Sequence, residues 1–146
     1  MGQGDPALER ALLALQKREP ASVAVALRFK DVDARRIFAG SDFTLMPSRF
    51  EPCVLSQMYA QKFGSLPIGY KTGGLADTIV DGKTGFLFEA PTNESFLGAV
   101  CRAFGAFGSR QRLNSMRIEA MATSFSWQNS VGKYQSLYGD VIARAA

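Results

Sequence analysis

The stretch from Phe43 to Gly64, F-T-L-M-P-S-R-F-E-P-C-V-L-S-Q-M-Y-A-Q-K-F-G, constrains the fold of this chain more than any other. Phe43 to Met46 is a short apolar run closed by Pro47, the pattern of a parallel strand buried on both faces. Pro52 has no N–H to donate, so it suits the first turn of a helix, where that donor lacks a partner in any case. Gly64 is placed to end that helix, because glycine takes the left-handed conformation after a last turn without strain. Strand, loop and helix in this order put Glu51 at the carboxyl end of the strand and beside the positive end of the helix. Open α/β sheets bind ligands at that edge, and the free N–H groups of a helix start suit a phosphate.

The flanking segments continue the alternation. Asp5-Pro6 is a capping residue followed by a proline at the first helical position. Leu8, Leu12 and Leu15 then recur at helical spacing and predict one buried face, with Glu9, Arg10 and Lys17 outside and Pro20 as the stop. Ser22 to Leu27, small and β-branched, predicts a strand. Phe29-Lys30-Asp31 is then a loop, and Asp31 caps a helix that carries Val32, Arg35, Arg36 and Phe38 up to Gly40. Leu66 to Tyr70 predicts another strand, with Pro67 tolerated near its start. Gly73-Gly74 marks a place where backbone or ligand comes close, Asp81-Gly82 a turn, and Thr84 to Phe88 a last strand. Three helices follow. Leu97, Val100, Cys101 and Phe104 are expected to face inward on the first, and Leu113, Met116 and Met121 on the second. Trp127, Val131, Tyr134, Leu137 and Val141 mark the third, as packing residues. Strands alternating with helices predict an α/β layer fold with a mostly parallel sheet.

Composition narrows the function. A chain of 146 residues, 47% hydrophobic and 21% charged, can bury a core and is expected to form one domain. No apolar run reaches the roughly 18–20 residues that a bilayer requires. No signal peptide is visible, and Pro6 stands where a myristoylation pattern needs Ser or Thr, so a cytoplasmic protein is the default. Cys53 and Cys101 form no C-x-x-C pair and read as reduced thiols. Histidine is absent, which removes His-dependent triads and His-based zinc sites. The net charge of +4 is scattered over the chain and comes without a run of stacking aromatics, which argues against nucleic acid. A solvated surface and a few cations near a phosphate pocket both fit it. No G-x-G-x-x-G follows a strand, so a dinucleotide-dependent oxidoreductase is disfavoured.

Several motifs together resemble one family. They are P-S-R-F-E-P-C-V-L-S-Q from Pro47, K-T-G-G-L-A-D-T from Lys71, T-G-F from Thr84, G-Q-G-D-P-A-L-E from Gly2, A-G-S-D from Ala39 and F-S-W from Phe125. In this order they are similar to bacterial glycogen synthase and plant starch synthase, and they cover nearly the whole chain. The resemblance implies the C-terminal, Rossmann-like half of a two-domain GT-B glycosyltransferase. Residues 1–146 would be the single donor-binding domain, with the N-terminal domain absent and the final helix crossing back toward it. It implies transfer of glucose from ADP-glucose, as substrate, to the non-reducing end of an α-1,4-glucan with retention, without cofactor or metal. The isolated chain is expected to be inactive. The opening G-Q-G-D-P resembles the loop after a family strand that would precede Met1. A sheet edge so exposed predicts self-association.

The resemblance also implies roles. Glu51 is the family's motif glutamate, accepting hydrogen bonds from donor-sugar hydroxyls and stabilising an oxocarbenium-like transition state without covalent attack. Cys53 lies in the donor-binding motif. The N–H groups of Val54, Leu55 and Ser56, with the Ser56 hydroxyl, are candidate donors to the departing diphosphate. Phe29 stands where relatives place an aromatic ring against adenine; closing the end of the sheet is the other reading. Thr72, Gly73 and Gly74 shape the phosphate and sugar pocket, or form a tight turn alone. Arg49 reads as surface. Relatives carry glycine where this chain has Val54, whose branched side chain is expected to crowd the donor. The family's diphosphate-clamping Arg and Lys and its lysine-glycine-glycine motif have no counterpart here. Two alternatives stay open. One is another GT-B nucleotide-sugar transferase, although Tyr59 stands where such enzymes carry a second glutamate. The other is a non-catalytic module with a decayed donor site.

Overall fold

Short apolar runs bounded by turn residues become the three strands β1 (Phe43–Met46), β2 (Leu66–Tyr70) and β3 (Phe86–Phe88). They form one parallel sheet in the order β1-β2-β3, with Phe43 opposite Leu66 and Ile68 opposite Phe86. The computed structural model describes residues 4–52 and 55–145. It contains two compact units, Met1–Ser41 and Asp42–Ala146.

The second unit holds the sheet. Pro67 sits in its middle strand, where a missing donor is usually costly. The Leu66 N–H points to the β1 side, donating to the Asp42 carbonyl at 3.0 Å. Alternation along the strand therefore aims the Pro67 nitrogen toward β3, whose pairing begins only at Phe86. One face of the sheet presents Leu66, Ile68, Phe86 and Phe88 to α5 (Asn93–Phe107) and α6 (Arg110–Ala122). The other face packs Met46 and Leu87 against Leu75 and Ile79, from α4 (Gly73–Thr78) and the residue after it. The helix α3 (Ser56–Lys62) lies against β1, β2, α4 and α6. It ends in a Schellman motif: Ser65 N–H donates to the Ala60 carbonyl at 2.9 Å and Gly64 N–H to Gln61 at 3.0 Å, with Gly64 at φ +77°.

Several expectations need correction here. Strand β1 is not buried on both faces: Leu45 is 56% exposed, because α5 covers β2 and β3 and leaves that end of β1, an edge strand, open. On α5 the inward residues are Ala99, Ala103 and Ala106, with Phe96 and Val100 partly buried, whereas Leu97, Cys101 and Phe104 face solvent. Alanines let the helix axis approach the sheet closely, and the bulkier side chains take the far side. Leu113 and Met116 are buried on α6 as expected, while Ala120 takes the place expected of Met121, which is exposed. The last helix, α7 (Trp127–Ala145), leaves Trp127, Val131, Tyr134, Leu137 and Val141 exposed, since no other described element packs closely on it. Its rings contact one another instead, Trp127 with Tyr134 at 6.0 Å and Tyr134 with Tyr138 at 6.4 Å.

The first unit contains α1 (Pro6–Arg18) and α2 (Asp31–Gly40). Asp5 caps α1 as expected, its carboxylate accepting from Ala7 N–H at 2.7 Å and Leu8 N–H at 3.3 Å. Leu8 and Leu12 are nevertheless exposed and Leu15 only half-buried, because no described residue of this unit is fully buried. Residues 22–27 form no strand. A ladder needs a partner, and the Val25 N–H is instead donated to Gln16 Oε1 at 2.5 Å. Asp31 does not cap α2; extended Lys30 is the cap position, and the Asp31 carboxylate pairs with Arg35 at 2.8 Å. Among the described residues no helix is long and apolar enough to cross a membrane.

Candidate functional site

Because the three strands run in parallel, their carboxyl ends open on one edge of the sheet. Three loops meet that edge: the one after β1 that carries Glu51, the Lys71-Thr72 link into α4, and the Glu89-Ala90 link after β3. Glu51 is only 7% exposed. Its carbonyl accepts the Gly74 N–H at 2.9 Å. A Cβ built on Gly73 would lie 2.1 Å from that same oxygen, and Gly73 has φ +41°. The close approach expected at the paired glycines is therefore filled by protein backbone, the peptide that leaves Glu51.

The helix expected from Pro52 starts later. The chain bends at Pro52, and α3 begins at Ser56 with Leu55 in the cap position and no side-chain cap. Cys53 and Val54 lie outside the described residues, and so does the expected crowding by Val54. Leu55 is half exposed, and Ser56 is partly buried at the first position of the seven-residue α3. Thr72 is the extended cap residue of α4 and makes no side-chain cap bond. Glu51, Leu55, Ser56, Thr72, Gly73 and Gly74 thus belong to the second unit, and Phe29, 69% exposed, to the first.

Sequence reasoning missed a buried polar network behind the glycine turn. Gln57 and Gln61, one turn apart on α3, are fully buried. Gln57 Nε2 donates to Thr78 Oγ1 at 3.2 Å, Thr78 Oγ1 donates to the Gly74 carbonyl at 2.5 Å, and Gln61 Nε2 donates to the Thr78 carbonyl at 3.0 Å. Both glutamine Oε1 atoms are buried without a partner among the described residues. The four-residue spacing of the two glutamines, flanking Ala60 on one helical face, was the available signal. The Lys71–Glu89 ion pair at 2.8 Å was missed as well. Glu89, through its hydrogen bond and its charge, raises the Lys71 ammonium above its usual range.

Electrostatics away from this edge are structural. Burial pushes the Asp81 carboxyl up, but the hydrogen bonds from Arg102 and Leu87 N–H and the charges of Arg102 and Lys71 outweigh it and hold the group below its ordinary value. Arg102 reaches both Asp81 oxygens at 3.0 and 2.8 Å, donates to the Leu87 carbonyl at 2.5 Å and lies 5.8 Å from the Phe86 ring centre. A cavity of about 340 Å³ opens between the turn before β3 and α6, lined by Gly82, Lys83, Ser109, Arg112 and Glu119 among others. It lies at the amino-terminal edge of the sheet, and no residue of the candidate site lines it.

A parallel sheet with helices on both faces, and a buried glutamate whose peptide packs on a paired-glycine turn at the carboxyl edge, define an α/β domain of the class in which that edge carries the ligand site. The model of the family described as glycosyl transferases group 1 matches residues 1–114. The chain belongs to that family and is a glycosyltransferase domain. It is 63% identical to glycogen synthase 1 of Bradyrhizobium diazoefficiens, over 97% of this chain and 31% of that protein. It is 55% identical to glycogen synthase of Pseudomonas paraeruginosa, over 100% of this chain and 28% of that protein. Among solved structures it is similar to the catalytic domain of starch synthase IV from Arabidopsis thaliana bound to ADP and acarbose. That match has a TM-score of 0.83 and 29% identity, and covers 97% of this chain and 31% of the other. The fold is therefore that of a GT-B starch synthase catalytic domain in the part the chain spans, about 30% of the length of the curated relatives.

Proposed function

We propose that this chain is the C-terminal, nucleotide-sugar-binding domain of a cytoplasmic α-glucan synthase, which transfers glucose from ADP-glucose to the non-reducing end of an α-1,4-glucan with retention. The observation that carries the proposal is the position of Glu51. Its side chain is largely shielded from water at the carboxyl edge of the sheet, and its peptide is fixed by the glycine turn. A carboxylate so held keeps its charge close to a developing oxocarbenium ion, and it needs no reorganisation at the moment of transfer. The starch synthase of similar fold was solved with ADP and acarbose, a nucleoside diphosphate and a sugar ligand, which supports the same ligand classes here.

In this reading Glu51 orients the donor sugar and stabilises positive charge on it. Phe29, Cys53, Val54, Leu55, Ser56, Thr72, Gly73 and Gly74 bind the donor, the N–H groups of Leu55 and Ser56 facing the departing diphosphate. The acceptor glucan enters from a second domain.

The test is Glu51→Gln in the full-length protein, assayed with ADP-glucose and glycogen. Transfer is expected to fall by at least about 10²-fold, while ADP binding measured by calorimetry stays within about twofold, since the substitution removes charge without adding volume. Transfer within tenfold of the unsubstituted protein refutes the role of Glu51. A tighter response to another nucleoside diphosphate than to ADP favours a different GT-B transferase.

A further inference from the structure

We propose that Gln57 and Thr78 are positioning residues for the transfer reaction, acting on Glu51 through the Gly73-Gly74 turn; this rests on the function proposed above. The supporting geometry is one continuous path. Gln57 Nε2 donates to Thr78 Oγ1 at 3.2 Å, Thr78 Oγ1 donates to the Gly74 carbonyl at 2.5 Å, and Gly74 N–H donates to the Glu51 carbonyl at 2.9 Å. Gln57 is fully buried, Gly74 buried and Thr78 half-buried, so these bonds are largely shielded from water. Thr78 Oγ1 accepts at one end and donates at the other, which fixes its proton and makes the path directional.

The path has a mechanical meaning. Gly74 is the second residue of α4 and Thr78 its last, so the hydroxyl ties the end of the short helix to its first turn. Gln61 holds the same end from the other side through the Thr78 carbonyl at 3.0 Å. Both glutamines come from α3, the helix that begins just after Glu51 in the chain. The path therefore closes a ring: Glu51, the start of α3, Gln57, Thr78, Gly74, and Glu51 again. Moving α4 relative to α3 displaces the Glu51 peptide, and a misplacement of about 1 Å at a reacting group is enough to cost about 10²-fold in rate.

The network has a feature that a purely stabilising device would avoid. Gln57 Oε1 is buried with no partner among the described residues, which opposes folding. An apolar pair of similar shape would pack the same space without that penalty.

The experiment follows from this. The double substitution Gln57→Met with Thr78→Val removes both partners of the buried bond together, so that neither is left unsatisfied. In the full-length protein it is expected to keep its melting temperature within a few degrees. It should lower kcat by about tenfold, and leave KM for ADP-glucose within about twofold, since it touches no substrate. Thr78→Ser, which keeps the hydroxyl, is expected to retain most of the native kcat and serves as the second variant if the double one does not fold. A double variant with kcat within twofold of native, beside an inactive Glu51→Gln protein, overturns the positioning role and leaves the function standing. An active Glu51→Gln protein overturns both. Equal losses of kcat in Thr78→Ser and in Thr78→Val refute the hydroxyl as the link.

Discussion

At the scale of single residues, Gly73 shows how two effects of opposite sign are decided. It is the first residue of α4, where alanine would normally gain about 1 kcal/mol in helix propensity. Its φ of +41° and the 2.1 Å approach of a Cβ to the Glu51 oxygen reverse that sign. A strained left-handed conformation alone costs about 1–3 kcal/mol in a residue with a side chain, and the overlap is with backbone that cannot rotate away. Gly73→Ala is expected to destabilise the fold by at least about 2 kcal/mol, read as a shift in the denaturant midpoint; an unchanged midpoint would show that the turn can relax. Asp81 provides the pH response. Its folded pKa is depressed below the ordinary value of 3.8, so the stability it contributes is present above that value and is lost as pH falls through the folded pKa. Asp81→Asn is expected to lower stability near neutrality by about 1 kcal/mol, small because solvent screens a half-exposed pair. The gap between the two proteins should close below about pH 4. Parallel stability curves across acid pH would refute the assignment.

At the scale of elements, α5 packs through alanines and carries two glycines that nothing needs. A Cβ on Gly98 or on Gly105 would meet no atom within 4 Å, and neither has a positive φ. Gly98→Ala and Gly105→Ala should each raise stability by about 0.5–1 kcal/mol, seen as a higher melting temperature. If neither change does so, the helix is not limited by backbone entropy. The same helix marks where sequence reasoning stopped. Its span and its Thr92 cap follow local rules, but which stripe faces the sheet depended on how close the helix could come. Leu97 and Phe104 looked like core and the alanines did not. Strands β1 and β2 were legible to the residue, because Pro47 and Gly64 punctuate them. The start of α3 at Ser56 was not legible, because Pro52 suits a first helical turn and a bend equally well. Glu51 and the paired glycines stood out as a motif. Their contact through backbone, and the glutamines behind them, belong to tertiary structure and left only a spacing to notice.

At the scale of the whole molecule, apolar surface stands out. Leu8 and Leu12 on α1 and Trp127, Tyr134, Leu137, Val141 and Ile142 on α7 are exposed, more than scattered surface residues explain. The isolated chain is expected to self-associate, with sedimentation coefficients that rise with concentration; a single monomeric species at every concentration would contradict this. The second unit, by contrast, divides its labour between two rims. Every strand delivers its carboxyl end to the side of Glu51, while the turn before β3 emerges on the other, where Lys83 is exposed. That far rim is the natural anchoring point for a dye, a resin or a surface. A molecule tethered there by its amine would still present its chemistry to the solution.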